Sequence, residues 1–173
     1  MAPRINYGAA CAALFYVTAI YASSGVLRGI QQWIQGALGE HYSVVMSMIA
    51  GAFVLLAMLW LVPVVRREPW RLAGLMVVAG IYAWVGLVWL TIPEERLHLP
   101  QYGVLAVLLW FAFRRMLSGW ALFALVFLLG TAAGAGDELV QHWRSNRVGD
   151  WRDVWLNTVS SGLAALALRC SGR

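Results

Sequence analysis

The fold is decided by residues 116–136, which read MLSGWALFALVFLLGTAAGAG and carry no charged side chain. A helix needs roughly 20 predominantly apolar residues to cross the hydrocarbon core of a bilayer, and this stretch is long enough. Further uncharged stretches fill most of the chain, at 5–27, 41–65, 72–93, 97–113 and 154–168. The pattern predicts an all-α, polytopic transmembrane helix bundle with about six spans.

Composition indicates the same class of protein. The chain has 173 residues, of which 61% are hydrophobic and 12% are charged, whereas soluble domains are closer to half apolar and a quarter charged. Disorder, a disulfide scaffold and an ordinary cytosolic enzyme are therefore excluded. We expect one integral-membrane domain over 1–173. The net charge of +5 does not indicate a nucleic-acid partner, because the arginines lie in short gaps between apolar stretches.

Six alternating spans would place both termini on the same side of the membrane. The chain has no lysine, and eight of its 13 basic residues fall on that side, with Glu68 as the one acid there. The positive-inside rule puts this side, and both termini, in the cytoplasm. The other acids and the histidines fall on the outer side. Cys11 and Cys170 lie near the reducing cytoplasmic face, so no disulfide is expected.

The segment 28–42, between the first two spans, leaves two alternatives open. Its apolar residues recur at helical spacing with glutamines between them, as in an amphipathic helix lying in the outer membrane interface. The same pattern fits a simple extension of a tilted first helix equally well.

A first polar cluster occupies 93–102, which reads PEERLHLPQY. In a helix or turn, His98 can share one face with Tyr102 and with Glu94, each four residues away. Glu95, His98 and Tyr102 together are interpreted as functional. Because the fourth span is short, we expect Gln101 and Tyr102 to lie below the headgroups. Glu94 alone is better explained as part of an ordinary acidic loop.

A second cluster follows the small-residue end of the fifth stretch, at 137–142, DELVQH. In a continued helix, Glu138, Gln141 and His142 share one face, with Asp137 beside them. Carboxylates at the edge of the hydrocarbon are costly unless they are paired or face water. Arg144 or Arg147 is the expected partner.

A third cluster combines Arg147, Asp150, Asp153 and Asn157 at helical spacing. Capping of the last helix explains Asp150, and the helix dipole suits Asp153. Capping does not explain Asn157, which lies one turn deeper and needs a partner inside the bundle.

These motifs resemble the signature of VanZ-like membrane proteins. One motif runs from Asp137 through Asn157 into Ser-Ser-Gly, and the other is the charged pair with His98 and Tyr102 at the head of a helix. The resemblance covers about 95–165, whereas 1–70 adds spans but no motif. We expect a protein of the bacterial cytoplasmic membrane, and the arginine asymmetry places its site on the outer side. The family takes its name from a glycopeptide-resistance cluster and is linked to teicoplanin resistance, which is a phenotype and not a reaction.

Carboxylates dominate the candidate site, and two carboxyl groups across a scissile bond are what glycoside hydrolysis requires. The sequence therefore predicts an intramembrane hydrolase that acts on a lipid-linked sugar, without a cofactor. Glu138 and Glu95 are the first candidates for the catalytic pair, and Asp150 and Asp153 are the reserve pair. The predicted substrate-binding residues are His98, Gln101, Tyr102, Asp137, Gln141, His142, Arg147 and Asn157.

Three other interpretations use the same residues. Asp137, Glu138, His142 and Asp153 could assist hydrolysis through a metal ion, although no metal site is predicted. A non-catalytic protein would use Glu138, Arg147 and Asp153 as a buried ionic clasp. Such a protein could bind an envelope lipid or a glycopeptide and contribute to resistance. A proton-coupled transporter is disfavoured, because no inverted repeat is visible.

Overall fold

The computed structural model describes residues 4–65, 68–143 and 150–172. These residues form helices and connecting turns, without a strand among them, so the expected all-α bundle is confirmed. The α-helices in chain order are α1 (Tyr7–Leu38), α2 (Tyr42–Val65), α3 (Arg71–Trp84), α4 (His98–Phe113), α5 (Gly119–His142) and α6 (Trp151–Ser171).

Three short helical turns join these elements. A 3₁₀ turn, Gly39–His41, connects α1 to α2, and a π-helical turn, Val85–Trp89, extends α3. A second 3₁₀ turn, Pro93–Leu97, leads directly into α4. Pro93 suits the first position of this turn, because the backbone N–H that proline lacks would have no helical partner there. The turn therefore fixes Glu95 and Arg96 immediately before the head of α4.

The length of α1 decides between the two alternatives for 28–42. The helix continues without a break for 32 residues, roughly 48 Å at 1.5 Å per residue. A separate interfacial helix after the first span is therefore wrong for this chain. Nothing in the sequence stops α1 before Gly39, whose φ of +52° is a conformation that glycine adopts readily.

Within the described residues, three helical stretches are long and apolar enough to cross a membrane, namely Gly29–Ala57, Arg71–Trp89 and Gly119–His142. The first of these joins the end of α1 to α2, and Tyr7–Ser23, the first part of α1, is a shorter apolar stretch. The 16 residues of α4 extend only about 24 Å, less than the thickness of the hydrocarbon core. The polar residues at the start of α4 therefore lie near membrane depth.

Successive helices run in opposite directions, and α6 packs against α3, α4 and α5. The start of α1 meets the end of α4, where the Asn6 amide donates to the Ala112 carbonyl at 2.9 Å. Close packing of α5 on α6 depends on glycine. A methyl group at Gly134 would lie 2.7 Å from the Asn157 Cβ, and one at Gly130 would collide with Ser161. The bundle therefore brings the end of α5 and the starts of α4 and α6 together.

Candidate functional site

Polar side chains are buried where the end of α5 meets the heads of α4 and α6. We call this group the polar cluster. Burial of so many polar groups in an apolar bundle is costly unless they bond to one another, to water or to a ligand. Its buried members are Glu95, Tyr102, Asp137, Glu138, Gln141, Asn157 and Ser160, and the half-buried His98 completes it.

Asn157 links α6 to α4 inside the cluster. Its side chain is 0% exposed, and its Oδ1 lies 2.8 Å from the His98 Nδ1. This distance is that of a hydrogen bond in which the protonated ring nitrogen donates to the amide oxygen. Gly134 of α5 lies against Asn157 on the other side and leaves room for it. The amide is thus held between α4 and α5.

Asp137 links α5 to α4 through Tyr102. The Tyr102 hydroxyl donates to the Asp137 Oδ2 at 3.4 Å, and the Tyr102 ring stacks on the His98 ring with centroids 6.3 Å apart. Asn157, His98, Tyr102 and Asp137 therefore form one continuous chain of contacts across the three helices.

Glu138 contacts the first turn of α6. Its side chain is 6% exposed, and its Oε2 accepts a hydrogen bond of 3.0 Å from the backbone N–H of Asp150. Asp150 itself is the N-cap of α6, because its Oδ1 accepts from the Arg152 N–H at 2.9 Å. The carboxylate of Glu138 therefore lies beside the positive end of the α6 dipole.

Glu95 reaches the same turn from the opposite direction. Its Oε2 lies 3.6 Å from the Arg152 Nη2. Glu95 is buried, whereas the Arg152 side chain is 50% exposed. The two glutamates thus contact neighbouring residues of one helical turn, Glu95 through a guanidinium group and Glu138 through a backbone amide.

A cavity of about 360 Å³ opens between α5 and α6 beside Glu138. Asp150 and His142 line it together with Ala135, Leu139, Trp151 and Val154. Leu139 and Trp151 are exposed on the outer surface of the bundle. This surface is apolar and would face lipid. The cavity therefore lies between a buried carboxylate and an exposed apolar surface.

Several buried polar atoms of the cluster have no hydrogen-bond partner within the described part of the chain. They are the Asp137 Oδ1, the Gln141 Oε1 and the Asn157 Nδ2. Two acceptors and one donor, all held by rigid helices, match the needs of water or of ligand hydroxyl groups.

The remaining candidates lie around the cluster or outside it. Asp153 and Gln101 are half-buried, and His142 is exposed at the mouth of the cavity. Arg144 and Arg147, the two expected partners of the carboxylates at 137–138, lie outside the described residues. Among the residues that the structure describes, no three His, Cys, Asp or Glu side chains are close enough to hold a metal ion.

Sequence reasoning missed the support that α1, α2 and α3 give to the site. The Tyr21 hydroxyl donates to the Ala133 carbonyl at 2.8 Å and lies against Gly136. The Tyr82 hydroxyl donates to the Ser160 carbonyl at 2.8 Å. Lone tyrosines in apolar helices carry no distinctive spacing, so no sequence signal identifies these contacts.

Arg96 is a second element that the sequence did not assign. Its Nη1 donates to the hydroxyl groups of Ser43 at 3.1 Å and of Ser47 at 2.6 Å, and its Nη2 donates to the Leu90 carbonyl at 3.0 Å. The two serines, one helical turn apart in an otherwise apolar helix, were a usable signal. Glu95 lies in the same 3₁₀ turn as Arg96. The Arg96 hydrogen bonds therefore attach this turn to α2.

The chain matches no curated protein and no solved structure. A family model described as VanZ/LLP1 matches residues 11–171, nearly the whole length, so the match extends into the first helices that carry no motif. The apolar helices described above are those of an integral membrane protein. The chain therefore belongs to the VanZ/LLP1 family of membrane proteins.

Proposed function

We propose that this protein is an intramembrane hydrolase that cleaves a lipid-linked sugar at the polar cluster. One observation carries the proposal: Glu138 lines a cavity whose wall also includes the exposed apolar side chains of Leu139 and Trp151. Unpartnered polar atoms of Asp137, Gln141 and Asn157 are buried nearby in the same cluster. An acyl chain would occupy the apolar cavity, and sugar hydroxyl groups would bond to these buried atoms.

Glu138 and Glu95 are the proposed catalytic pair. One carboxyl group protonates the oxygen that leaves, while the other activates a water molecule or attacks the sugar carbon. Water finally supplies the new hydroxyl on the sugar and returns a proton to the enzyme. The first turn of α6 holds both groups, which supports their action on one bond. Asp150 and Asp153 remain in reserve, since Asp150 caps α6.

His98 and Tyr102 are proposed to orient the substrate-binding residues. His98 fixes the Asn157 amide by a hydrogen bond, and Tyr102 fixes one oxygen of Asp137. The second amide atom of Asn157 and the second oxygen of Asp137 then have defined directions. Preorganised polar groups of this kind contribute to catalysis because they need no reorganisation during the reaction.

The test is cleavage of a panel of lipid-linked sugars by the purified protein, with products identified by mass spectrometry. Glu138→Gln should lower turnover by about 100-fold or more, which is typical for loss of an acid–base group. The Gln variant keeps an oxygen that can accept from the Asp150 N–H, so its fold should survive. Glu40→Gln is the matched control, because Glu40 is exposed outside the cluster. Equal turnover in wild type and Glu138→Gln would remove Glu138 from the mechanism.

Binding without conversion is the second candidate function. The observation that favours it is the contact of both Glu95 and Glu138 with the start of α6, which suits a clasp that fixes helix packing. A clasp that has lost a charged member should be unstable. A large fall in the melting temperature of Glu138→Gln, with no product from any wild-type incubation, would favour this function over hydrolysis.

A further inference from the structure

A second cavity lies at the opposite end of the bundle from the polar cluster. It has a volume of about 510 Å³ and lies between the start of α3, the start of α5 and the end of α6. Two arginines line it, Arg71 from α3 and Arg169 from α6. The other lining residues are Trp70, Gly74, Trp110, Ser118, Gly119, Cys170 and Gly172. We call it the basic cavity.

Arg169 is held against an aromatic ring. Its guanidinium carbon lies 3.8 Å from the centre of the Trp120 ring, a cation–π contact. Its Nε is buried and has no hydrogen-bond partner within the described chain. A guanidinium group presents five N–H donors in a rigid fork that matches phosphate oxygens. The Trp120 contact therefore holds this cation at the cavity wall, where none of the described carboxylates pairs with it.

Arg71 supplies the second positive charge. Its Nε pairs with the Glu68 Oε2 at 2.8 Å, and its guanidinium packs against Gly172 at the end of α6. The carbonyl end of α6 is the negative end of that helix, and Arg71 offsets it. Glu68 neutralises one arginine at most, so the described groups leave a net positive charge at the cavity.

The start of α5 adds backbone donors that have no hydrogen-bond partner among the described residues. Ser118 is the N-cap, but its side chain makes no capping hydrogen bond, and the first amide to find a helical partner is that of Leu122. The amides of the first turn are therefore free to bind an anion, and the helix dipole favours negative charge there. This contribution comes in addition to the two arginines.

Apolar and aromatic groups complete the lining, and they distinguish a lipid from a soluble anion. Trp70 and Trp110 form part of the wall, and Trp70 is exposed beside it, as tryptophans are at membrane interfaces. Basic pockets between helices at a cytoplasmic interface suit the headgroups of acidic lipids. We propose that the basic cavity binds the phosphate group of an anionic phospholipid from the cytoplasmic leaflet. This proposal does not depend on hydrolysis at the polar cluster.

The native cysteines provide the test. Cys170 lines the cavity, whereas Cys11 is exposed on α1 away from it. We would measure alkylation of each thiol by N-ethylmaleimide, using mass spectrometry of the full chain in detergent. Phosphatidylglycerol should slow alkylation of Cys170 about fivefold or more and leave Cys11 unchanged. Phosphatidylcholine and inorganic phosphate should protect neither thiol.

Two variants and one control establish the role of charge. Arg169→Gln should abolish protection by phosphatidylglycerol, and Arg169→Lys, which keeps the charge, should retain part of it. Arg115→Gln removes a charge from the same end of the bundle at an exposed site outside the cavity, and should be protected like the wild type. Native mass spectrometry of bound lipid gives the same comparison if Cys170 reacts too slowly.

Three results would overturn the proposal. Equal protection by phosphatidylcholine would show that the phospholipid's net charge is not recognised. Equal protection by inorganic phosphate would assign the cavity to a soluble anion. If phosphatidylglycerol protects Cys170 in Arg169→Gln as well as in the wild type, or if the variant retains as much bound lipid, Arg169 does not bind the phosphate group.

Discussion

Asn157 shows at the scale of single residues how the site is built. It is fully buried at membrane depth, its oxygen bonds to His98, and its nitrogen has no partner in the described chain. Spacing alone indicated that Asn157 needs a partner inside the bundle. Spacing could not identify His98, because that pairing depends on the rotation of α4 relative to α6. Sequence therefore predicted the polar positions of the site better than their contacts.

Replacement of Asn157 by alanine should destabilise the protein. The change removes the hydrogen-bond partner of the half-buried His98 ring and opens a small void beside Gly134, at a cost of about 1–3 kcal/mol. Thermal unfolding in detergent measures this effect. Thr158→Ala is the control, because the Thr158 hydroxyl bonds within its own helix. A melting temperature for Asn157→Ala equal to that of the control would contradict the proposed importance of the His98–Asn157 bond.

At the scale of helices, the pairing of α5 with α6 positions the site. The glycines Gly130 and Gly134 let Ser161 and Asn157 approach the α5 backbone. The sequence places these small residues four apart, a spacing that lets helix backbones approach closely. It could not name α6 as the partner, since the spacing of small residues does not identify the opposite face. The sequence also left the length of α1 open. An apolar helical pattern is the same for a helix that ends at the membrane surface as for one that continues beyond the hydrocarbon.

Gly134→Ala should loosen the α5–α6 contact. The new methyl group would lie 2.7 Å from the Asn157 Cβ, so the helices must separate or Asn157 must move. Overpacking of this kind costs typically about 1–3 kcal/mol. Gly80→Ala is the matched control, because a Cβ there meets nothing within 4 Å. Differential scanning fluorimetry should show a lower melting temperature for Gly134→Ala alone; equal values for the two variants would show that the contact tolerates a methyl group.

At the scale of the whole molecule, the two ends of the bundle differ in chemistry. Buried carboxylates and amides occupy one end, and the arginines of the basic cavity occupy the other. Periodicity and composition predicted the helical bundle, because membrane burial requires long apolar helices. The arginine asymmetry predicts that the carboxylate end faces the outer side of the membrane.

Labelling of introduced cysteines in intact cells checks this orientation. In a background of Cys11→Ser and Cys170→Ser, Glu40→Cys should react with an impermeant maleimide added outside, and Arg115→Cys should not. Both positions are exposed at opposite ends of the bundle. Permeabilised cells, in which both should react, provide the control. If only Arg115→Cys reacts in intact cells, the topology is the reverse of the predicted one, and the polar cluster faces the cytoplasm.

Hydrolysis in water enriched in ¹⁸O tests the central claim most directly. The wild-type protein is incubated with a lipid-linked sugar, and the released sugar and lipid are analysed by mass spectrometry. Glycosidic cleavage through Glu138 and Glu95 predicts that the label enters the anomeric hydroxyl of the sugar and that Glu138→Gln yields little labelled product. Label in the lipid product, or equal labelled product from wild type and Glu138→Gln, would contradict the proposed reaction.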